Sequence, residues 1–246
     1  MKTIKADLHI HTLLSPCGDL EMSPANIIRT AKERQLDMIA ITDHNTTRHC
    51  ELTRQIGFNE GVSVLLGVEV TTREEVHCLA YFEDEEKLSV FEEFLGRKIL
   101  RLPYKPKIFG YQPVLDQNEN IIDEIDYMLG SSIQASIDEV FSLVKSLGGI
   151  FIPAHIDRPR NSILSQLGFF PPDLECNAIE ISFAANQSDF LKAHPELNPF
   201  SVIRNSDAHY IENIGRKSTL FSMEDASFPE LKLALAFLSG RKILEQ

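Results

Sequence analysis

The feature that most constrains this chain is the way short apolar runs alternate with amphipathic stretches. The runs IKADLHI (4–10), DMIAITD (37–43), VSVLLGVEV (62–70), VHCLAYF (76–82), GIFIPAH (149–155), AIEIS (178–182) and FSVIRNSD (200–207) have the length and β-branched content of buried strands. Between several of them lie helix-like segments. Residues 23–35 open with Ser23 as N-cap and Pro24 at the first helical position, and 46–57 are helical up to Gly57. The segment 84–101 is charged and amphipathic, 136–147 runs from a Ser N-cap to a Gly stop, and 228–240 closes the chain's pattern. Strands separated by helices predict βαβ units, a mainly parallel sheet and an α/β barrel. A doubly wound nucleotide fold would carry a Gly-rich turn after the first strand; the residues there, HTLLSPCGD, have no such pattern. The 246 residues (1–246) are read as a single domain, interrupted by an insertion or lid at about 102–132, where PYKPKIFGYQPVLDQNEN is rich in Pro, aromatic and turn-forming residues.

Composition narrows the function. A formal net charge of −12 argues against a nucleic-acid partner, which calls for a basic footprint, while leaving room for a small phosphorylated substrate. No run approaches the ~20 apolar residues of a membrane span. The first residues lead straight into a strand pattern without a signal-type apolar region, so a cytoplasmic location is expected. The four cysteines, Cys17, Cys50, Cys78 and Cys176, follow no CxxC spacing and give no disulfide framework; the last three read as core.

The chemistry-bearing residues fall at the ends of the expected strands, and at the C-terminal ends of parallel strands a barrel builds its sites. His9 and His11 in DLHIHT stand two apart on a strand and project together, with Asp7 below them as a ligand or as the acceptor that orients an imidazole. Asp43 and His44 end the second run; the plain alternative for Asp43 is a helix N-cap. Glu69 sits in LLGVEVT, where an unpaired carboxylate is costly, and is the candidate to bridge two cations. His77, His155, Asp207 and His209 complete the set. Each has a structural alternative, a core histidine or a buried ion pair, but their joint placement on six strand ends favours a metal centre. Imidazole and carboxylate donors suit Zn, Mn or Fe, and such clusters supply a hydroxide nucleophile near neutral pH. Cys17, in the turn after His11, is a further candidate ligand. Arg158 and Arg204 are candidates to grip a phosphate, Asp207 and His209 to protonate a leaving group, and Lys105, Lys107 and Tyr111 to touch substrate; His49 and His194 read as surface residues.

DLHIHT, ITDHN, the GVEVT glutamate, VHCLAY, IPAHID and NSDAH together resemble the ordered motifs of the polymerase and histidinol phosphatase (PHP) superfamily, over Asp7 to His209. The resemblance implies a distorted (β/α)7 barrel with two or three divalent metal ions. It implies one metal on His9, His11, Glu69 and Asp207, a second on Glu69, His77 and His155, and a third on His44, His209 and a residue of the turn after His11. Several members have His where this chain has Cys17, a departure that bears on the third metal. Asp43 would support the ligands from behind. The implied activity is phosphoester hydrolysis of a small phosphorylated metabolite or nucleotide by a stand-alone protein without a polymerase extension. The alternatives are hydrolysis of amide-type bonds, a metal-binding module without turnover, and a nuclease.

Overall fold

A computed structural model describes residues 1–244. The elements run β1 (Lys2–Ile10), α1 (Pro24–Glu33), β2 (Met38–Ile41), α2 (Cys50–Glu60), β3 (Ser63–Thr71), β4 (His77–Phe82), α3 (Glu85–Lys98), α4 (Pro106–Phe109), β5 (Pro113–Leu115), β6 (Ile121–Glu124), α5 (Ile137–Ser146), β7 (Ile150–Pro153), α6 (Ile163–Leu167), β8 (Ile179–Glu180), α7 (Gln187–Ala193), β9 (Val202–Ile203), β10 (Thr219–Met223), α8 (Phe228–Leu235) and β11 (Lys242–Ile243). The expected helix starts are met: Ser23 caps α1 by accepting from the Asn26 N–H, and Ser136 forms a reciprocal capping box with Glu139. The expected stop at Gly57 is corrected. α2 runs through it to Gly61, whose φ of +77° ends the helix, and Gly57 instead lets the helix lie close on the β3 side, since a Cβ there would stand 2.7 Å from the Val62 carbonyl oxygen.

The sheet has seven strands in the order β11-β10-β1-β2-β3-β4-β7, curled into part of a barrel, with β8 and β9 as a separate parallel pair. The expectation of a mainly parallel sheet is overturned: β1–β2 and β2–β3 are parallel, whereas β1–β10, β10–β11, β3–β4 and β4–β7 are antiparallel. β3 passes into β4 through a short turn with no helix between, so the arrangement is a mixed α/β half-barrel rather than a uniform βα repeat. Apolar content marks a strand as buried but carries no sign of its direction.

Alternation divides the core in two. Met38, Ala40, Leu65, Leu79, Tyr81, Ile150 and Ile152 pack inside the curl, and Ile39, Ile41, Cys78, Ala80 and Phe151 pack outward against the helices. On β3 and β4 the inner rows also hold Glu69 and His77. On β1 the pairing with β2 slips between Asp7 and Ile10; Leu8 packs inward and Ile10 outward, so the strand changes face there and brings His9 and His11 inside. The Tyr81 hydroxyl crosses the interior to donate to the Leu8 carbonyl at 2.6 Å.

Candidate metal centre

One edge of the curled sheet collects the candidate ligands. His9 and His11 end β1, His44 follows β2, Glu69 lies near the end of β3, and His155 follows β7. His77 is the exception to the expected strand-end rule: it begins β4. Because β4 is antiparallel to β3, with Thr71 paired to His77, its beginning lies on the same edge. Asp207 and His209 arrive on the chain after β9, which pairs with the end of β1 through the His11 N–H and the Ala208 carbonyl at 3.0 Å.

The donor atoms converge tightly. His9 Nε2 and His11 Nε2 stand 3.1 Å apart, each 3.3–3.4 Å from a Glu69 oxygen and from Asp207 Oδ1. The other side of Glu69 meets His77 Nδ1 at 2.9 Å and His155 Nε2 at 3.0 Å. Its second oxygen stands 3.1 Å from His44 Nδ1, and His11, His44 and His209 offer nitrogens within 4.8 Å of one another. Glu69 is therefore the carboxylate common to the cluster, and it is 1% exposed. The backbone is held in the left-handed region at three points around it, Asn45 (φ 51°), His155 (φ 29°) and Asp207 (φ 49°), conformations that non-glycine residues adopt at a cost when the surroundings impose them.

The electrostatics fit a bound cation. Burial disfavours charge on His9 and His11, yet the carboxylates around them outweigh it: Glu180, Asp207 and Glu69 raise His9 well above the ordinary imidazole value, and Asp207 and Glu69 raise His11 to about 9. Glu69 and Asp207, although buried, are held well below the usual carboxylate range by the histidines. The carboxylates thus require positive charge between them. Protons can supply it only by placing two imidazolium nitrogens 3.1 Å apart, whereas divalent ions supply it and accept the lone pairs. Buried His44 Nδ1 has no hydrogen-bond partner beyond its 3.1 Å approach to the Glu69 carboxylate, and His155 Nδ1, the ring nitrogen opposite the one that meets Glu69, has none. Burial pushes His44 well down and His209 down to about 4, with neighbouring histidines adding to the effect, so both stand neutral and able to donate a lone pair.

Two residues that the sequence reading passed over orient the imidazoles. Glu180 accepts from His9 Nδ1 at 3.0 Å, from Asn205 Nδ2 at 2.8 Å and from the His155 N–H at 2.9 Å, fixing His9 with Nε2 toward the cluster. Ser15 lies 3.0 Å from His11 Nδ1 and donates to Asp43 at 2.7 Å. Glu180 carries the signal that singled out Glu69, a carboxylate within an apolar run. Asp7 does not orient an imidazole. The change of face on β1 turns its carboxylate to the N–H groups of Ser206 and Gly215 at 3.0 and 2.8 Å, so it secures the segment carrying Asp207. Asp43 is not a helix cap either: it accepts from the Thr12 N–H, the Thr12 hydroxyl and Ser15, fastening the turn after β1.

His49 is buried, not a surface residue. The Leu115 N–H donates to its Nε2 at 3.0 Å and its Nδ1 contacts the Thr12 hydroxyl at 2.7 Å. Arg158 reaches the cluster, with Nη2 at 2.5 Å from Asp207 Oδ2. Arg204 turns away: its Nη2 donates to the carbonyls of Ser182, Phe183 and Ala185. Cys17 lies exposed in the turn fastened by Asp43, and its sulfur belongs to none of the three ligand groups; crowding by the surrounding protein, with the charges of Glu69 and Asp207, pushes its thiol upward. Cys50 and Cys78 are core residues, Cys176 only partly buried.

The family model for the PHP domain matches residues 7–155. The chain is 25% identical to the uncharacterised Bacillus subtilis protein YqxK over 276 aligned positions, covering 99% of this chain and 65% of YqxK. It is 37% identical to the uncharacterised protein MJ1587 of Methanocaldococcus jannaschii over 119 positions, 42% of this chain and 70% of that protein. Among solved structures, the lesion-specific endonuclease Q of Pyrococcus furiosus superposes with a TM-score of 0.72 at 20% identity, over 98% of this chain and 58% of that one. A protein of Bifidobacterium adolescentis assigned as a metal-dependent phosphoesterase superposes with a TM-score of 0.60 at 19% identity, over 95% and 96%. The chain thus spans less than two thirds of the length of YqxK and of endonuclease Q. A nuclease shares the fold, so the acidic charge balance does not support setting nucleic acid aside. No described helix is long and apolar enough to cross a membrane.

Proposed function

The chain belongs to the PHP domain family, and on that premise we propose that it is a hydrolase of phosphoesters that works with two or three divalent ions held by His9, His11, His44, Glu69, His77, His155, Asp207 and His209. The observation that carries this reading is the placement of Glu69: one carboxylate stands within 3.4 Å of nitrogens from five histidines on four segments of the chain. Divalent ions bound there polarise a phosphoryl oxygen and lower the pKa of water.

The protein's own residues supply the rest. Arg158, a third exposed and resting against Asp207, is placed to exchange that contact for a phosphate oxygen and to orient the ester. Neutral His209 at the rim is suited to accept a proton rather than to donate one, and ionised Asp207 is likewise not a proton donor at neutral pH. Glu180 and Ser15 hold the imidazoles in orientation. Cys17 as a ligand of a third metal and Arg204 as a phosphate contact are the weaker members of the proposal, since neither reaches the cluster.

Two substrate classes fit. A small phosphorylated metabolite or nucleotide suits the net charge; a nucleic-acid phosphodiester suits the likeness to endonuclease Q, which acts on DNA lesions. The test is release of phosphate or alcohol from phosphomonoesters, phosphodiesters, nucleotides and a DNA duplex with an abasic site, by protein loaded in turn with manganese, zinc and iron, with the chelated protein as control. Metal-dependent turnover is expected in one of these classes. Silence across the panel with metal content verified would overturn phosphoester hydrolysis and favour the amide-type chemistry of another protein of this fold, an amidohydrolase of Chromobacterium violaceum.

A further inference from the structure

The stretch from the end of α3 to β5 carries a charge pattern unlike the rest of the chain, and the β5–β6 hairpin that follows it is acidic, with Asp116, Glu119, Asp123, Glu124 and Asp126. From Arg97 to Leu115 there are five basic residues, Arg97, Lys98, Arg101, Lys105 and Lys107, and no acidic one, in a protein of formal net charge −12. Arg101, Lys105 and Lys107 are exposed, and among the described residues none of the three has a carboxylate within salt-bridge distance. Arg101 lies over the Tyr127 ring, 4.9 Å from its centre. Large apolar side chains stand between the cations in open solvent: Leu102 is 48% exposed, Ile108 67%, Phe109 46% and Tyr111 49%. Cations interleaved with exposed rings are the chemistry that tracks a phosphodiester backbone while stacking unpaired bases.

The 102–132 segment is fastened to the metal side of the barrel at three points. Leu115 donates to His49, which in turn holds Thr12, one residue after the ligand His11. Asn45, next to His44, donates to the carbonyls of Leu129 and Ser131 at 2.7 and 2.8 Å. Gly110 lies so close to Pro16, in the turn after β1, that an added Cβ would stand 2.5 Å from the Pro16 carbonyl oxygen. Beside that contact, a cleft of about 470 Å³ opens between Tyr111, Leu13, Leu20 and Ile121, with Glu119 and Glu124 on its wall. Those carboxylates exclude a phosphate from the cleft and leave it to a neutral ring.

We propose that Arg101, Lys105 and Lys107, with the rings of Phe109 and Tyr111, form a nucleic-acid-binding arm that lays a single-stranded stretch beside the metal centre. This rests on the phosphoester reading and selects its substrate class: the arm binds the backbone, and a base next to the reacting phosphate enters the cleft against Tyr111. The net acidity of the remaining surface confines the strand to this face.

The test is anisotropy of a labelled single-stranded oligonucleotide with uncleavable phosphorothioate linkages, bound to the full-length protein as purified over a series of salt concentrations. Each phosphate neutralised on a single strand contributes a slope of about −0.7 to log K against log salt. The variant R101Q/K105Q/K107Q is expected to flatten the slope by about 2, and Tyr111→Ala to weaken binding with the slope unchanged. The variant K2Q/K192Q/K242Q, which removes three exposed cations elsewhere, is expected to bind as the wild type does. Equal loss in both triple variants, absence of binding by the wild type, or tighter binding to anionic phosphatidylglycerol vesicles or polyglutamate than to the oligonucleotide would each overturn the arm. Hydrolysis of a small phosphodiester by the metal-loaded wild type reports on the phosphoester reading separately: turnover without strand binding removes only the arm, and binding without turnover removes only the hydrolase.

Discussion

Replacing Glu180 by Gln isolates how the barrel presets its ligands. The carboxylate serves three donors at once: His9 Nδ1, Asn205 Nδ2 and the His155 N–H. A Gln amide has one acceptor oxygen and adds two donors, so at least one of the three faces another donor. A buried donor left unpaired costs about 1–3 kcal/mol. In a domain of this size that lowers Tm by about 2–4 °C per kcal/mol. The second effect concerns His9, whose ring would no longer be held with its proton on Nδ1 and its lone pair on Nε2. Loss of such an orienting partner weakens metal affinity by about 10–100-fold, or about 1.4–2.7 kcal/mol. Competition with a chromophoric chelator measures the affinity, and calorimetric unfolding with and without metal measures the stability. Both losses are expected together. Metal affinity equal to the wild type's, despite the lowered Tm, would refute the view that Glu180 acts on the metal centre through His9 and reduce it to a structural acceptor.

Glu69→Gln should lose bound metal outright, measured as metal content after gel filtration, because the carboxylate is common to all parts of the cluster. Arg158→Gln should keep its metal and lower kcat/KM by about 10–100-fold, the value of ~1.5–3 kcal/mol for a hydrogen bond to a charged group; unchanged steady-state kinetics would remove Arg158 from the site. Burial outweighs Asp43 and holds His49 below the ordinary imidazole value, so the unfolded chain binds its proton more readily than the folded one. The stability His49 contributes is therefore present above about pH 6.5 and lost as pH falls below it, and His49→Gln should flatten that acid limb in urea melts between pH 7.5 and 5. Gly110→Ala, at φ +94° and against Pro16, should destabilise by about 1–3 kcal/mol in the same melts.

Much of the histidine–carboxylate cluster was legible in the sequence because buried polar residues stand out against apolar strands. His9, His11, Glu69 and His155 could be read that way, and Glu180 in AIEIS could have been. Direction and face were not legible. Nothing in VHCLAYF says that β4 runs backwards, and nothing in DLHIHT marks the slip that turns Asp7 away from His9. β10 is not legible in TLFSM because its inward row begins with polar Thr219 and its outward row with apolar Leu220, which breaks the alternation of a half-buried strand. His49 was misjudged because Thr12 and Leu115, the residues that make it a core histidine, lie 37 and 66 positions away.

The same geometry has a consequence for how the protein is made. β1, which carries His9 and His11, is paired along residues 2–6 with β10, and its tip is met by Ala208. Some two hundred residues must leave the ribosome before the first ligands of the chain meet the last. Until then His9 and His11 belong to an incomplete edge that no partial barrel can close. An ion held by this cluster would therefore be bound only late in folding, once the chain through His209 is in place.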